Sequence, residues 1–248
     1  MTPLLVFQVR RVARNRQFLI FTVLMPALFT VFFTKIFGGQ AQTGTQYQDF
    51  AGYYMVSMMA YGGLGAALGA TIRISFDRAS GWLRQLRITP VPQTRIFAVD
   101  VIVGALLALP GLVVVALVGR FINHVQLGVG RWLALIGVLW AGSIAFVAFG
   151  LLIGLSLDEK AAGGAIGFVG VVLAALGGLW VPVEVFPASM RTIAHAMPSY
   201  WYAQLGRDVA AGSAPSARAV LVLAGFTAVF AVLAVAVARR RPLYAVSG

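Results

Sequence analysis

Of the 248 residues, 60% are hydrophobic and only 10% charged, against about 25% charged in soluble domains, and the mean hydropathy is +0.90. A soluble globule cannot hide that much apolar surface, so disordered, fibrous and ordinary cytosolic classes are excluded and a membrane-embedded chain remains. The lack of cysteine removes disulfides, thiolate metal sites and cysteine nucleophiles, and the net charge of +12 falls between long apolar runs, where lipid head groups are its natural counter-charge.

Taken from the N-terminus, Leu5, Val9 and Val12 share one face of a helical projection while Arg10, Arg11 and Arg14 lie opposite. That is the pattern of an amphipathic helix lying in the membrane interface, with a solvated basic leader as the plainer alternative. Six runs of the length needed to cross a hydrocarbon core of about 30 Å then follow. They are Phe18–Phe37, Phe50–Ile72, Val101–Gly119, Trp132–Leu157, Ala161–Val183 and Ala219–Ala238. They are apolar on every face, unlike the alternating strands of outer-membrane barrels, so the expected fold is a single all-α integral membrane domain with six transmembrane helices. The first run is too long for the core of a secretory signal and reads as a retained span.

An even number of spans puts both termini on one side. Arg10, Arg11, Arg14, Arg16, Arg73, Arg78, Arg84, Arg87, Arg95, Lys160, Arg239, Arg240 and Arg241 then share a side, thirteen basic residues against six, and the positive-inside rule makes that side the cytoplasm. The longest cytoplasmic connection, Arg73 to Arg95, places Trp82, Leu83 and Leu86 on one helical face, with Arg84 and Arg87 turned away and Thr89-Pro90 ending the pattern. Such a helix either shields span ends or docks on a cytoplasmic partner. On the other side, Pro182 to Ala217 carries Phe186, Ile193, Met197, Tyr200, Trp201 and Tyr202 among Pro187 and Pro198. Aromatic rings favour the interface, so this segment is expected to form a re-entrant or interface-hugging helical hairpin before the last span.

Within the spans, the pairs Gly65/Gly69, Gly150/Gly154 and Gly163/Gly167 allow close helix approach, and Pro26 and Pro110 introduce kinks. No ionisable residue falls near the middle of a run. The residues therefore offer no buried carboxylate for an ion-coupled carrier and no catalytic cluster for a lipid enzyme. His124 and His195 have no partner at ligand spacing, and Ser143 and Ser156 have no histidine nearby, so no catalytic, cofactor-binding or metal residue is expected. The two lysines, Lys35 and Lys160, do not follow a phosphate-cradling glycine pattern, so ATP-powered transport would need its motor on another polypeptide. Ser57, Tyr61, Thr71 and Ser143 line a path or bond locally, the local reading being favoured. A non-transporting membrane scaffold stays open at this point.

Two segments resemble the membrane subunits of ABC-2-type exporters. The first runs Asp77-Arg78-Ala79-Ser80-Gly81-Trp82-Leu83-Arg84-Gln85-Leu86-Arg87-Ile88-Thr89-Pro90, and the second Gly178-Leu179-Trp180-Val181-Pro182-Val183-Glu184-Val185-Phe186-Pro187, continuing to Ile193, Pro198 and Tyr200. The order of spans matches over nearly the whole chain, while Ala79 stands where the family often has a second acidic residue. The resemblance implies a permease with no cofactor of its own, paired with an identical or related permease and with two cytoplasmic ABC ATPase subunits that hold ATP and Mg. It implies a coupling helix formed around Asp77, Arg78, Gly81, Trp82, Leu83, Arg84, Leu86 and Arg87, and an external re-entrant segment marked by Pro182, Glu184, Phe186, Pro187, Pro198 and Tyr200. It also implies cargo of the family's kind, amphipathic drugs, antibiotics, lipids or lipid-linked glycans, moved outward across a bacterial cytoplasmic membrane. Short loops favour a small amphipathic molecule.

Overall fold

The computed structural model describes residues 20–38, 44–79 and 93–240, and every regular element among them is helical. A π-helical turn, Ile20–Leu24, leads into α1 (Met25–Gly38); then come α2 (Gly44–Thr71), α3 (Arg73–Ala79), α4 (Gln93–Phe121), α5 (Val129–Gly142), α6 (Ile144–Ser156), α7 (Glu159–Leu176), α8 (Ala188–Ala196), α9 (Pro198–Ala210) and α10 (Ala217–Arg240). Five stretches are long and apolar enough to cross a membrane: Gly44–Asp77, Ala98–Phe121, Val129–Ser156, Glu159–Leu176 and Ala217–Arg240. The first apolar run contributes the shorter helix Thr22–Ile36. The chain is therefore a multi-pass helical membrane protein. The amphipathic helix read at Leu5–Arg14 lies outside the described residues, as does the arginine at position 241.

α2 is the centre of the bundle, packed against α1, α4, α6 and α9. Its small and flexible residues explain this position: Met55, Met58 and Met59 fill irregular space while Ala60, Gly62, Gly63, Ala66 and Ala67 let neighbours come close, and all are buried. α7 and α10 lie at the periphery and turn apolar side chains outward, Phe168 and Leu221 each being 71% exposed. Such faces are unfavourable in water and ordinary in acyl chains, where close packing rather than apolar burial holds helices together.

Pro26 sits six residues into the first helical stretch and has no N–H to offer the carbonyl of Thr22. That carbonyl lies where two other helices meet it through glycine: a Cβ on Gly62 of α2 would stand 3.5 Å from Thr22 O and 3.3 Å from Pro26 Cγ, and one on Gly111 of α4 would stand 3.4 Å from Thr22 O. The π-helical turn precedes the proline directly, as expected where the regular ladder is interrupted. Pro110 is accommodated inside α4 in the same layer, beside Gly111.

Of the three small-residue pairs, Gly150/Gly154 makes the closest crossing. A Cβ on Gly150 would collide with the Thr71 hydroxyl and stand 3.1 Å from Leu68 O, and one on Gly154 would stand 3.1 Å from Thr71 O. Gly65 and Gly167 have open space instead, and Gly163 meets only the tip of Ile72 at 3.5 Å.

Several bounds differ from those read in the sequence. The run Phe50–Ile72 begins as helix at Gly44 and, after a turn at Ile72, continues through α3, so the connection read as starting at Arg73 is helical to Ala79. The run Trp132–Leu157 is two helices joined at Ser143, whose Oγ donates to Trp140 O at 2.7 Å. The run Ala161–Val183 stops as helix at Leu176. Gly177 closes it, Gly178 follows at φ +72°, a left-handed conformation that favours glycine, and Pro182 lies just beyond. At the other end of that helix, Asp158 is the N-cap, accepting from the Ala161 N–H at 2.8 Å, and Glu159 stands in the first turn, where the helix dipole favours negative charge.

Candidate functional site

The segment after α7 builds the most elaborate set of contacts in the described chain. Pro182 opens a 3₁₀ turn, Val183–Val185, Pro187 caps α8, and Pro198 is the first residue of α9, so each proline sits where its missing N–H costs nothing. Phe186 is buried with Val183 and Ala194, and the half-buried Tyr200 packs on them. Arg191 Nε donates to Phe186 O at 2.8 Å, His195 meets the Tyr200 ring edge-on at 4.7 Å, and Glu184 is exposed. The two short helices anticipated from Pro187 and Pro198 are present, with α9 continuing to Ala210.

α9 is not a loop lying on top of the bundle. Tyr202 is fully buried, its hydroxyl donating to Leu139 O at 2.8 Å and its ring 5.1 Å from that of Phe146. The side chain fills a slot made by glycines: a Cβ on Gly63 of α2 would collide with its hydroxyl, and one on Gly142 of α5 would stand 2.7 Å from its ring. Gly142 is next to the junction of α5 and α6, so the start of α9 reaches half the depth of that helix pair. Ser199 Oγ donates to Leu173 O at 2.6 Å, Trp201 Nε1 donates to His195 O at 2.7 Å, and Arg218 at the start of α10 covers the Trp201 ring at 4.9 Å.

Further along α9, Arg207 turns back toward α2. Its guanidinium lies 4.5 Å from the centre of the Tyr53 ring, and Nη2 donates to Ser57 Oγ at 3.3 Å and to Gly178 O at 3.4 Å. Reading the runs one at a time missed this cation, because it belongs to α9 and reaches the middle of α2 only through the fold. The one available signal was the 3.6-residue period that puts Arg207 on the same side of α9 as Gln204 and Ala203. Ser57 therefore makes a long-range bond, whereas Thr71 and Ser143 bond locally to Leu68 O and Trp140 O, each at 2.7 Å.

At the opposite end of the bundle, α3 carries the beginning of the first motif. Asp77 is buried, 6% exposed, and so is not offered at the surface. Ser75 Oγ and Arg73 Nε donate to Ile72 O and Ala70 O, at 2.6 and 2.8 Å, tying α3 to the end of α2. Arg78 lies on α3 by its backbone; Gly81, Trp82, Leu83, Arg84, Leu86 and Arg87 lie outside the described residues. Among the described residues no three His, Asp or Glu side chains gather as a metal site; His124 is exposed, with φ +56°, in the turn between α4 and α5.

The family model described as "ABC-2 type transporter" matches residues 3–210. The chain is also similar to "Putative transport permease YvfS" of Bacillus subtilis (strain 168), with 27% identity over 237 residues, covering 94% of this chain and 95% of that protein. The family match spans both motifs, every helix up to α9 and the Tyr202 slot, and on it the chain belongs to the ABC-2 type transporter family.

Proposed function

We propose that this chain is the membrane permease of an ATP-driven exporter that carries a small amphipathic or lipid-like molecule out across a bacterial cytoplasmic membrane. What carries the reading is the family match over residues 3–210 on a helical bundle whose sequence has no phosphate-cradling loop. The energy must then come from a separate ATPase, two copies of which would serve a pair of permeases, each ATPase holding ATP and Mg. The 77–90 segment is the coupling element, and α8 and α9 form the external re-entrant hairpin. α9 supports the second assignment by reaching the level of Gly142 while its other end returns to Ala210.

An amphipathic helix inserted in a groove is a recurring recognition mode, and truncating its tryptophan anchor costs about 2 kcal/mol or more, roughly thirtyfold in affinity. Trp82→Ala combined with Leu86→Ala is expected to leave the permease folded by its elution profile but to lose the ATPase in a pull-down and to abolish cargo-stimulated hydrolysis. Truncating Arg84 and Arg87 costs less and depends more on salt. Full association and full stimulation in the Trp82/Leu86 double variant would show that the helix only caps span ends.

A further inference from the structure

A second site lies at the end of the bundle where α2 begins. Between α2, the α4–α5 turn, the start of α5 and the end of α9 is a cavity of about 350 Å³, near the lower limit for a small-molecule pocket. Two arginines line it, Arg207 from α9 and Arg131 from α5, together with Asp49, Gln48, Gln126 and Tyr53, while Leu127, Ala210 and Ala211 supply accessible apolar wall over the buried Val56 and Val125. We propose that this cavity binds an amphipathic anion, holding a phosphate or carboxylate head between the two guanidinium groups and laying its apolar part on Leu127, Ala210 and Ala211.

The state of Arg207 points to the ligand's charge. Among the described residues its hydrogen bonds are the two long ones from Nη2 to neutral oxygens, and its buried Nε has no acceptor there. A guanidinium carries five donors in a planar fork that suits an oxyanion, and an unmet buried donor is costly. Asp208, one residue away, does not pair with it, its oxygens accepting instead from Gln204 Nε2 and the Ser216 N–H at 2.7 and 2.8 Å, and Glu184, whose charge reaches the Tyr53 hydroxyl, makes no ion pair with it either among the described residues. The Tyr53 ring backs the guanidinium, leaving its edge for the cavity.

Arg131 reaches the site from the start of α5 and lies over the turn that follows α9. The turn after α9 places Gly212 at φ +86°, a conformation that favours glycine, and the Arg131 guanidinium lies close over it, 2.9 Å from where a Cβ would stand. Asp49 is exposed at the lip, so the lining charges sum to a net positive site that suits an anionic head. An inorganic ion would not use the apolar wall, whereas an amphiphile would. It does not depend on the exporter reading.

The test is titration calorimetry of the purified full chain in neutral maltoside micelles, with empty micelles as the blank. The probes are hexyl phosphate, hexanol and inorganic phosphate. Saturable binding of one hexyl phosphate per chain is expected, with hexanol and inorganic phosphate each at least tenfold weaker; Arg207→Gln and Arg131→Gln should each weaken hexyl phosphate about tenfold or more, the scale of a lost charge-assisted bond. Arg207→Lys, which keeps charge without the fork, should recover only part of the loss. Arg131 is exposed, so Arg131→Gln decides the matter if Arg207→Gln does not elute as a folded protein. Equal binding of hexanol, equal binding of inorganic phosphate, or unchanged affinity in the Gln variants would each overturn the proposal.

Discussion

Glycine residues that look alike in the sequence have opposite roles in the bundle. Gly150 is where α6 crosses the end of α2, and a methyl group there drives the Thr71 hydroxyl off its bond to Leu68 O. Gly65 is half-buried and has no atom within 4 Å of where its Cβ would be. Gly150→Ala is therefore expected to destabilise by about 1–3 kcal/mol, the usual cost of overpacking. Gly65→Ala should be neutral or stabilising by up to about 1 kcal/mol, because alanine loses less backbone freedom in a helix. Thermal unfolding in neutral detergent reads the contrast, at about 2–4 °C per kcal/mol for a chain of this size. The small-xxx-small spacing was legible without coordinates; which pair faces another helix was not, because spacing fixes only that two glycines share a face.

At the scale of elements, composition and periodicity located most of the fold. The apolar runs and the prolines at 187 and 198 gave the helices and the breaks, since missing N–H groups and left-handed turns are local properties. The end of α7 was misplaced by seven residues because Leu179, Trp180 and Val181 continue the apolar run while Gly177 and Gly178 have already turned the backbone. Tertiary placement was less legible. Arg207 counts as a loop charge in the sequence and becomes a bundle residue because α9 folds back on α2. The hairpin itself gives a direct expectation for thiol labelling of single-cysteine variants in vesicles. Trp201 is buried and Ser213 exposed, so a cysteine at 201 should react with a bulky water-soluble reagent far more slowly than one at 213. A cysteine at Ile193, 44% exposed on α8, should also lag if that face lies against lipid head groups. Equal, fast labelling at all three would show an open aqueous loop.

For the molecule as a whole, the bundle has two chemically different ends. The α4–α5 turn, the start of α2 and the end of α9 meet at one, around Gln126 and Arg131; α3, the start of α7 and the arginines closing α10 belong to the other. The thirteen-to-six division of basic residues along the sequence, read with the positive-inside rule, predicts that the second end faces the cytoplasm. Compartment reporters fused at Gly248 and after Gln126 are expected to give opposite answers, cytoplasmic and external. The same answer from both would reject that topology.

The slot that receives Tyr202 has a consequence for how the protein is made. Its walls, Gly63 and Gly142, belong to helices that leave the ribosome before α9, so the side chain that fills the slot is made after both walls. Maturation is therefore ordered by chain position: α2 and α5 can meet early, but their final spacing is set only when the hairpin arrives from downstream. Contacts so distant in sequence close slowly. The final packing of α2 and α5 around the slot therefore waits on a helix made after both of them.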